Sequence, residues 1–198
     1  MRYTGPKDRQ SRRENFDLFG AGAKITRLAV TPGVHGPKGT RGTSQYGKQL
    51  REKQKVKRMY GIMERQFVRY MTQAFKSKGN TGEALLITLE RRLDNIVFRL
   101  GFAPSRPMAR QLVSHRHVLV NGKRVNIPSY QVVIGDVVTM DGKAFEIPEV
   151  KKAFDNPDFK APEWLTRKAA AGNVKRFPKR EDIAEALSEQ DIVEFYSR

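Results

Sequence analysis

The sequence predicts an α+β fold, and three observations carry that prediction. Apolar residues recur at helical spacing from about residue 62 to residue 113. At Val118 the spacing drops to strict alternation around an Asn121-Gly122 pair. Helical spacing returns near the end, at Ile183, Ala184, Leu187, Ile192, Val193 and Tyr196. Apolar side chains at i, i+3 and i+4 share one helix face, whereas alternating ones share one sheet face.

Residues 1–47 read as a basic, irregular arm. They hold eight of the sixteen glycines, with Pro6, Pro32 and Pro37, and their apolar residues keep no period. Such a segment buries too little surface to offset its own ordering entropy. It is either a loose tail or an arm ordered by RNA, and its charge favours the second. Arg12, Arg13, Lys38 and Arg41 would then meet phosphates. Tyr3, Phe16, Phe19 and Tyr46 suit base stacking or anchoring of the arm to its own domain.

From Ser44 the pattern turns helical. Lys48, Arg51, Lys53, Lys55, Lys57 and Arg58 surround a thin apolar line of Leu50, Val56 and Tyr60, which predicts a poor core helix and a good phosphate rail. A second helix is predicted from about Ile62 to Phe75. Met63, Phe67, Tyr70, Met71, Ala74 and Phe75 form its buried stripe, and Arg65 and Arg69 sit one turn apart on another face. Gly79-Asn80-Thr81-Gly82 breaks it, with Asn80 or Thr81 available as a cap. A single third helix is expected from near Glu83 to Gly101, with Leu86, Leu89, Leu93, Ile96, Val97 and Leu100 inward. A short helix follows from near Ser105, with Pro107 in its first turn. Met108, Ala109, Leu112 and Val113 face inward there, and Arg106 and Arg110 outward.

Asn-Gly between extended runs is the strongest short hairpin signal, because both turn residues need positive φ. Val118 to Val120 and then Val125 and Ile127 are its strands, and Val132–Ile134 and Val137–Met140 continue the extended character. Asp141-Gly142 predicts a second hairpin, with Phe145 and Ile147 on the return strand. Residues 151–180 are polar and broken by Pro157, Pro162 and Pro178, with Trp164 and Leu165 expected in a core. A last helix begins at Arg180 or later. The segments are thus an arm at 1–47, helices at 48–91, a helix-and-strand unit at 92–150, and a linker with a final helix at 151–198.

The chain has 198 residues and a net charge of +17, from 38 Lys and Arg against 21 Asp and Glu. Residues 1–60 carry 15 bases and 4 acids, residues 61–117 carry 10 and 4, and residues 118–198 carry 13 of each. A positive field confined to three fifths of the chain points to a polyanion partner, because phosphate binding releases counterions. No apolar run reaches the roughly 20 residues of a membrane span, and no secretory leader is evident, so a soluble cytoplasmic protein is expected. With no cysteine, disulfides and thiolate zinc sites are excluded.

Enzymatic readings find little support. Gly42-Thr43-Ser44-Gln45-Tyr46-Gly47-Lys48-Gln49 has P-loop spacing, but Gln49 replaces the magnesium-binding hydroxyl and no buried strand precedes it. No carboxylate pair, G-x-S-x-G elbow or metal-ligand set is apparent. His115 and His117 would share a side if the segment is extended, as hydrogen-bonding groups or as RNA contacts. No catalytic residue, cofactor or metal is therefore expected.

The best constellation is Arg92, Arg99, Arg106, Arg110, Gln111, His115, Arg116 and His117, with Lys123 in the adjoining hairpin. Two helices packed through their apolar stripes would merge their basic faces into one surface. Guanidinium forks on fixed helices suit the phosphates of a fixed RNA shape. Local acids are few, so this charge is expected to stay unpaired. Replacing Arg106 and Arg110 is then expected to weaken RNA binding with little effect on thermal stability.

The run Ser105-Arg106-Pro107-Met108-Ala109-Arg110-Gln111-Leu112-Val113-Ser114-His115-Arg116-His117-Val118-Leu119-Val120-Asn121-Gly122 closely resembles the RNA-binding domain of the ribosomal protein S-four family. The likeness continues through Val125-Asn126-Ile127-Pro128-Ser129-Tyr130 and Gly135-Asp136. Pro32 to Gly36, Tyr46 to Lys55, Glu64 to Phe67 and Glu189 to Arg198 also resemble the bacterial-type protein. Similar modules are appended to pseudouridine synthases, some tRNA synthetases and heat-shock RNA-binding proteins. The flanking matches and the missing catalytic domain distinguish this chain from those.

The resemblance implies a mainly helical domain formed by both chain ends, with the RNA-binding domain inserted. It implies early, direct binding to 16S-type small-subunit rRNA at a multi-helix junction, which nucleates assembly. It also implies a position near the channel by which messenger RNA enters, contact with ribosomal protein S-five, an influence on decoding accuracy, and repression through its own messenger RNA. Some members carry a cysteine zinc site near the amino terminus, and this chain resembles the zinc-free form.

Overall fold

The computed structural model describes residues 3–20, 27–36, 42, 44–156 and 159–197. Lys38 and Arg41 of the expected phosphate arm lie outside these residues. The helices are α1 Lys7–Glu14, α2 Gln45–Met59, α3 Glu64–Lys76, α4 Thr81–Glu90, α5 Leu93–Arg99, α6 Arg106–Ser114, α7 Pro148–Phe154 and α8 Glu189–Tyr196. The strands are β1 Val118–Val120, β2 Lys123–Arg124, β3 Val137–Met140, β4 Leu165–Lys168 and β5 Ala171–Val174. Two compact units result: Met1–Leu85 with Glu185–Arg198, and Leu86–Ala184. The division falls within α4.

In the first unit α2 packs against α8 and α1. Ser44 caps α2 by accepting from the Gly47 amide at 3.2 Å. Gln49, Lys53, Val56 and Met59 recur on its inner side, so this is a core helix rather than the poor one its composition suggested. The apolar minority sits at helical spacing, and the lysine stems cover apolar surface while their ammonium groups reach carboxylates. On α3, Phe67, Tyr70, Met71 and Ala74 are buried as expected, whereas Met63 and Phe75 are exposed. Met63 is the N-cap with extended backbone, outside the helical period, and Phe75 stands at the edge of the stripe. Asn80 caps α4, accepting from the amides of Gly82 and Glu83.

The expected single helix over residues 83–101 is two helices. Arg92 is extended, with φ −64° and ψ 137°. It bridges Gln131, while the Leu93 amide donates to Tyr130 O and the Val132 amide to Arg91 O. No Gly or Pro marks this break; backbone pairing with residues almost forty positions away imposes it. The apolar stripe runs through it undisturbed, and Leu86, Leu89, Leu93, Ile96, Val97 and Leu100 are all buried.

The second unit closes α5 and α6 over an antiparallel sheet of order β2-β1-β3-β5-β4. Val118, Val120, Val138 and Met140 join Leu112, Val113 and Trp164 in one core. The Asn121-Gly122 turn forms as read, with φ of 50° and 77°. The expected second hairpin does not. Gly142–Glu146 is a 3-10 turn leading into α7. The Met140 amide, which a return strand would need, is taken by Ala170 O, and Pro148 starts the next helix, so Phe145 and Ile147 reach the core from a helical turn. The second neighbour of β3 is β5, in the register Val138↔Gly172. Residues 151–184 therefore belong to the second unit, not to a linker toward the chain end.

Gly172 lets β5 approach α5. A Cβ there would stand 2.3 Å from Leu100 Cδ1. Gly172→Ala is expected to destabilise the protein by about 1–3 kcal/mol through overpacking, read as a fall in the urea midpoint. An unchanged midpoint would refute the close approach.

Candidate nucleic-acid interface

The cations sort into those spent on the fold and those facing solvent. In the first unit, Glu64 of α3 accepts from Lys53 and Lys57 of α2, each at 2.8 Å, and from Tyr196 Oη of α8 at 2.7 Å. Partial burial pulls the Glu64 carboxyl upward, but these three donors outweigh it and hold it at about 2. Burial, reinforced by Glu64, pushes the Tyr196 phenol up. Glu14 of α1 pairs with Arg58 and with Arg51, the latter at 3.5 Å. Here burial outweighs both guanidiniums and raises the carboxyl. Lys55 donates to Ala186 O at 2.6 Å and lies over the Phe16 ring. Arg12 donates to Val30 O and Thr31 O.

The expected phosphate rail on α2 is thus largely internal. Lys53 is buried, and Lys55, Lys57 and Arg58 serve packing; Lys48 stays exposed. The side chains of Arg13, Arg65 and Arg69 are exposed. Lys76 extends the exposed row of α3 beyond the positions singled out from sequence, seven residues after Arg69.

In the second unit the arginines are anchored from behind. Arg92 is 2% exposed and binds Asp94 with both arms, at 3.0 and 2.7 Å. It does not reach the surface, contrary to the expected four-arginine face. Arg110 lies 3.7 Å from the same carboxylate. Arg99 is bidentate to Glu90 at 3.0 and 2.9 Å, and Asn95 links Glu90 to Arg106. The Arg106 guanidinium also sits 4.6 Å from the Phe98 centroid. Local acids therefore do take up part of the charge. Arg106 and Arg110 are built into the fold, and removing them is expected to cost stability, which corrects the sequence reading. Two carboxylates against four guanidiniums still leave the cluster net positive.

Beyond these arginines, the end of α6 and the β1–β2 hairpin present an unencumbered edge. Gln111, His115, Arg116 and Lys123 are exposed, and His117 is half-buried. The segment from 115 to 117 is not extended, as the sequence suggested, but turns through Arg116. The amides of Arg116 and His117 close α6 by donating to Val113 O and Leu112 O, and Arg116 takes φ 65°. That left-handed position favours glycine, and an L side chain there costs free energy. The His115 and His117 rings are brought to 6.4 Å. The hairpin is clamped: Asn121 donates to Asp136 at 2.8 Å and accepts from the Val137 amide at 2.9 Å. Arg124, which sequence reading passed over, is exposed on β2 and pairs with Asp141.

This arrangement offers fixed donors to an anionic partner. Among the described residues no cluster of three His, Cys, Asp or Glu is placed to hold a metal ion, and no helix is long and apolar enough to cross a membrane.

Known proteins match this chain throughout its length. The family profile described as Ribosomal protein S4/S9 N-terminal domain matches residues 2–90, and the S4 domain profile matches residues 91–138. The chain is 49% identical to the small ribosomal subunit protein uS4 of Pelobacter propionicus and 47% identical to that of Natranaerobius thermophilus, over 100% of this chain and 99% of each relative. The uS4 of Cupriavidus necator is 49% identical at the same coverage.

Two outcomes are expected. Glu64 lies below its ordinary 4.5, so its contribution to stability is present above that pH and is lost as pH falls toward about 2. Glu64→Gln should therefore be less stable than the parent at neutral pH, with the gap closing between pH 4.5 and 2 in urea titrations. A gap independent of pH would contradict the network. Arg116→Gly should raise stability by about 0.5–1 kcal/mol as the left-handed strain is relieved. A drop in melting temperature would show instead that the side chain supports the fold.

Proposed function

The chain belongs to the small ribosomal subunit protein uS4 family, and from that premise we propose that it is a structural, non-enzymatic constituent of the small subunit that binds rRNA directly. One observation carries the reading most: an exposed arginine, Arg116, is kept in a backbone conformation that glycine would occupy at lower cost. Strain retained at an exposed cation is accounted for when the side chain meets a ligand. The net charge of +17 and the rigid hairpin beside Arg116 support the same partner.

Within this reading the exposed set of Arg13, Lys48, Arg65, Arg69, Gln111, His115, Arg116 and Lys123 contacts RNA. His117 and the outer edges of Arg106 and Arg110 add to it. Arg92, Lys53, Lys55, Lys57 and Arg58 hold the surfaces in place. Early binding at an rRNA junction nucleates assembly, because a body ordered before binding pays little entropy to fix the RNA. The same protein contacts ribosomal protein S-five near the path of messenger RNA, tunes decoding accuracy and represses its own message. It works in the cytoplasm, in the ribosome.

Affinity for small-subunit rRNA should fall steeply with salt. Roughly six to ten phosphate contacts give a log–log slope of about −5 to −9. Arg116→Gly with Lys123→Ala should reduce the slope's magnitude by about 1–2 without lowering the melting temperature. A flat salt response of the unaltered protein would overturn the proposal.

A further inference from the structure

The exposed side of α3 carries two parallel rows of different chemistry. Arg65, Arg69 and Lys76 form a cationic row. Val68 and Phe75, 41% and 43% exposed, form an apolar one. At about 100° per residue, Val68 and Phe75 fall within about 20° of each other, and the cations centre about 90° further round. Thr72 lies between the rows, its hydroxyl donating to Val68 O at 3.0 Å. Arg65 and Lys76 are about 16 Å apart along the axis.

Glu64 is the only carboxylate of α3, and Lys53, Lys57 and Tyr196 engage it. The solvent-facing arc therefore carries cations, apolar side chains and the neutral Thr72 and Gln73, with no further carboxylate of α3 among them. A line of cations with no acid among them matches a line of phosphates, and apolar groups beside that line match the riboses that flank a phosphate strand. A-form RNA offers these surfaces together along its wide, shallow groove, which a straight helix can follow. An acidic protein patch would meet the cations and leave Val68 and Phe75 without a matched surface.

We propose that the outer face of α3 docks along one strand of an RNA helix, with Arg65, Arg69 and Lys76 on phosphates and Val68 and Phe75 against the adjoining riboses. This rests on the reading that the chain binds small-subunit rRNA, and adds a contact of a second kind. The ribose contact carries no counterion release, so the two rows differ in their response to salt.

The test compares two double variants of the full chain in binding to purified small-subunit rRNA across a salt series. Arg65→Ala with Arg69→Ala should flatten the log–log slope by about 1–2. Val68→Ser with Phe75→Ser should weaken binding about tenfold at every salt concentration and leave the slope unchanged. Val68→Ile with Phe75→Leu should restore affinity, separating loss of contact from loss of fold. Parental affinity of the serine variant overturns the proposal. So does parental rRNA affinity combined with poor incorporation into subunits, which would assign the face to a protein neighbour. If the unaltered chain shows no salt-dependent rRNA binding, the ribosomal reading itself fails. If it binds and only the α3 variants are silent, the α3 assignment alone fails.

Discussion

Four carboxylates with little or partial access to water, Glu14, Glu64, Glu90 and Asp94, decide which cations face solvent. A carboxylate removed from water is tolerated only when paired and hydrogen-bonded. Each is met by two or more partners, from neighbouring elements for Glu14, Glu64 and Glu90, and from Arg92 at the start of its own helix and Arg110 of α6 for Asp94. Glu64 joins α2, α3 and α8, and Glu14 ties α1 to α2. Glu90 and Asp94 hold the arginines at the start of the second unit. Other basic side chains, among them Arg12, Arg91 and Arg167, are held by backbone carbonyls, and exposed ones such as Arg65, Arg69 and Arg116 define the electrostatic surface.

The same constraint explains how the interface is made rigid. Guanidiniums bound from behind by carboxylates lose rotamer freedom before any ligand arrives, so less entropy is lost on binding. The β1–β2 hairpin is held by Asn121 and Asp136 rather than by strand length, since β2 is only two residues long. Gly172 draws β5 against α5, and β5 backs β3, which backs β1. The strained turn at Arg116 is thus supported by the whole second unit.

Much of this was legible in the chain. The Asn121-Gly122 turn, the Ser105 cap with Pro107 behind it, and the inward stripes of α6 and, apart from Met63 and Phe75, of α3 follow from local chemistry. The family likeness was legible in continuous motifs. The break at Arg92 was not, because apolar spacing runs unbroken across it. The β4–β5 pair was hidden because Thr166, Arg167, Lys168 and Ala169 through Gly172 show neither alternation nor a turn dipeptide. The hairpin expected at Asp141-Gly142 failed because both edges of β3 are already paired, with β1 and β5, and the Met140 amide donates to Ala170 O.

For the candidate surface the division is sharper. Residue types alone determined that this chain is an α+β, strongly basic, cysteine-free protein with an RNA-binding module. Charge, periodicity and turn chemistry are properties of residues and their near neighbours, so they survive reading in one dimension. Only the tertiary structure decided that Lys53 and Arg92 are interior while Arg65 and Arg116 face solvent. Burial and ion pairing depend on partners distant in sequence, and a lysine or arginine has the same formula whether its charge closes a core or waits for a phosphate.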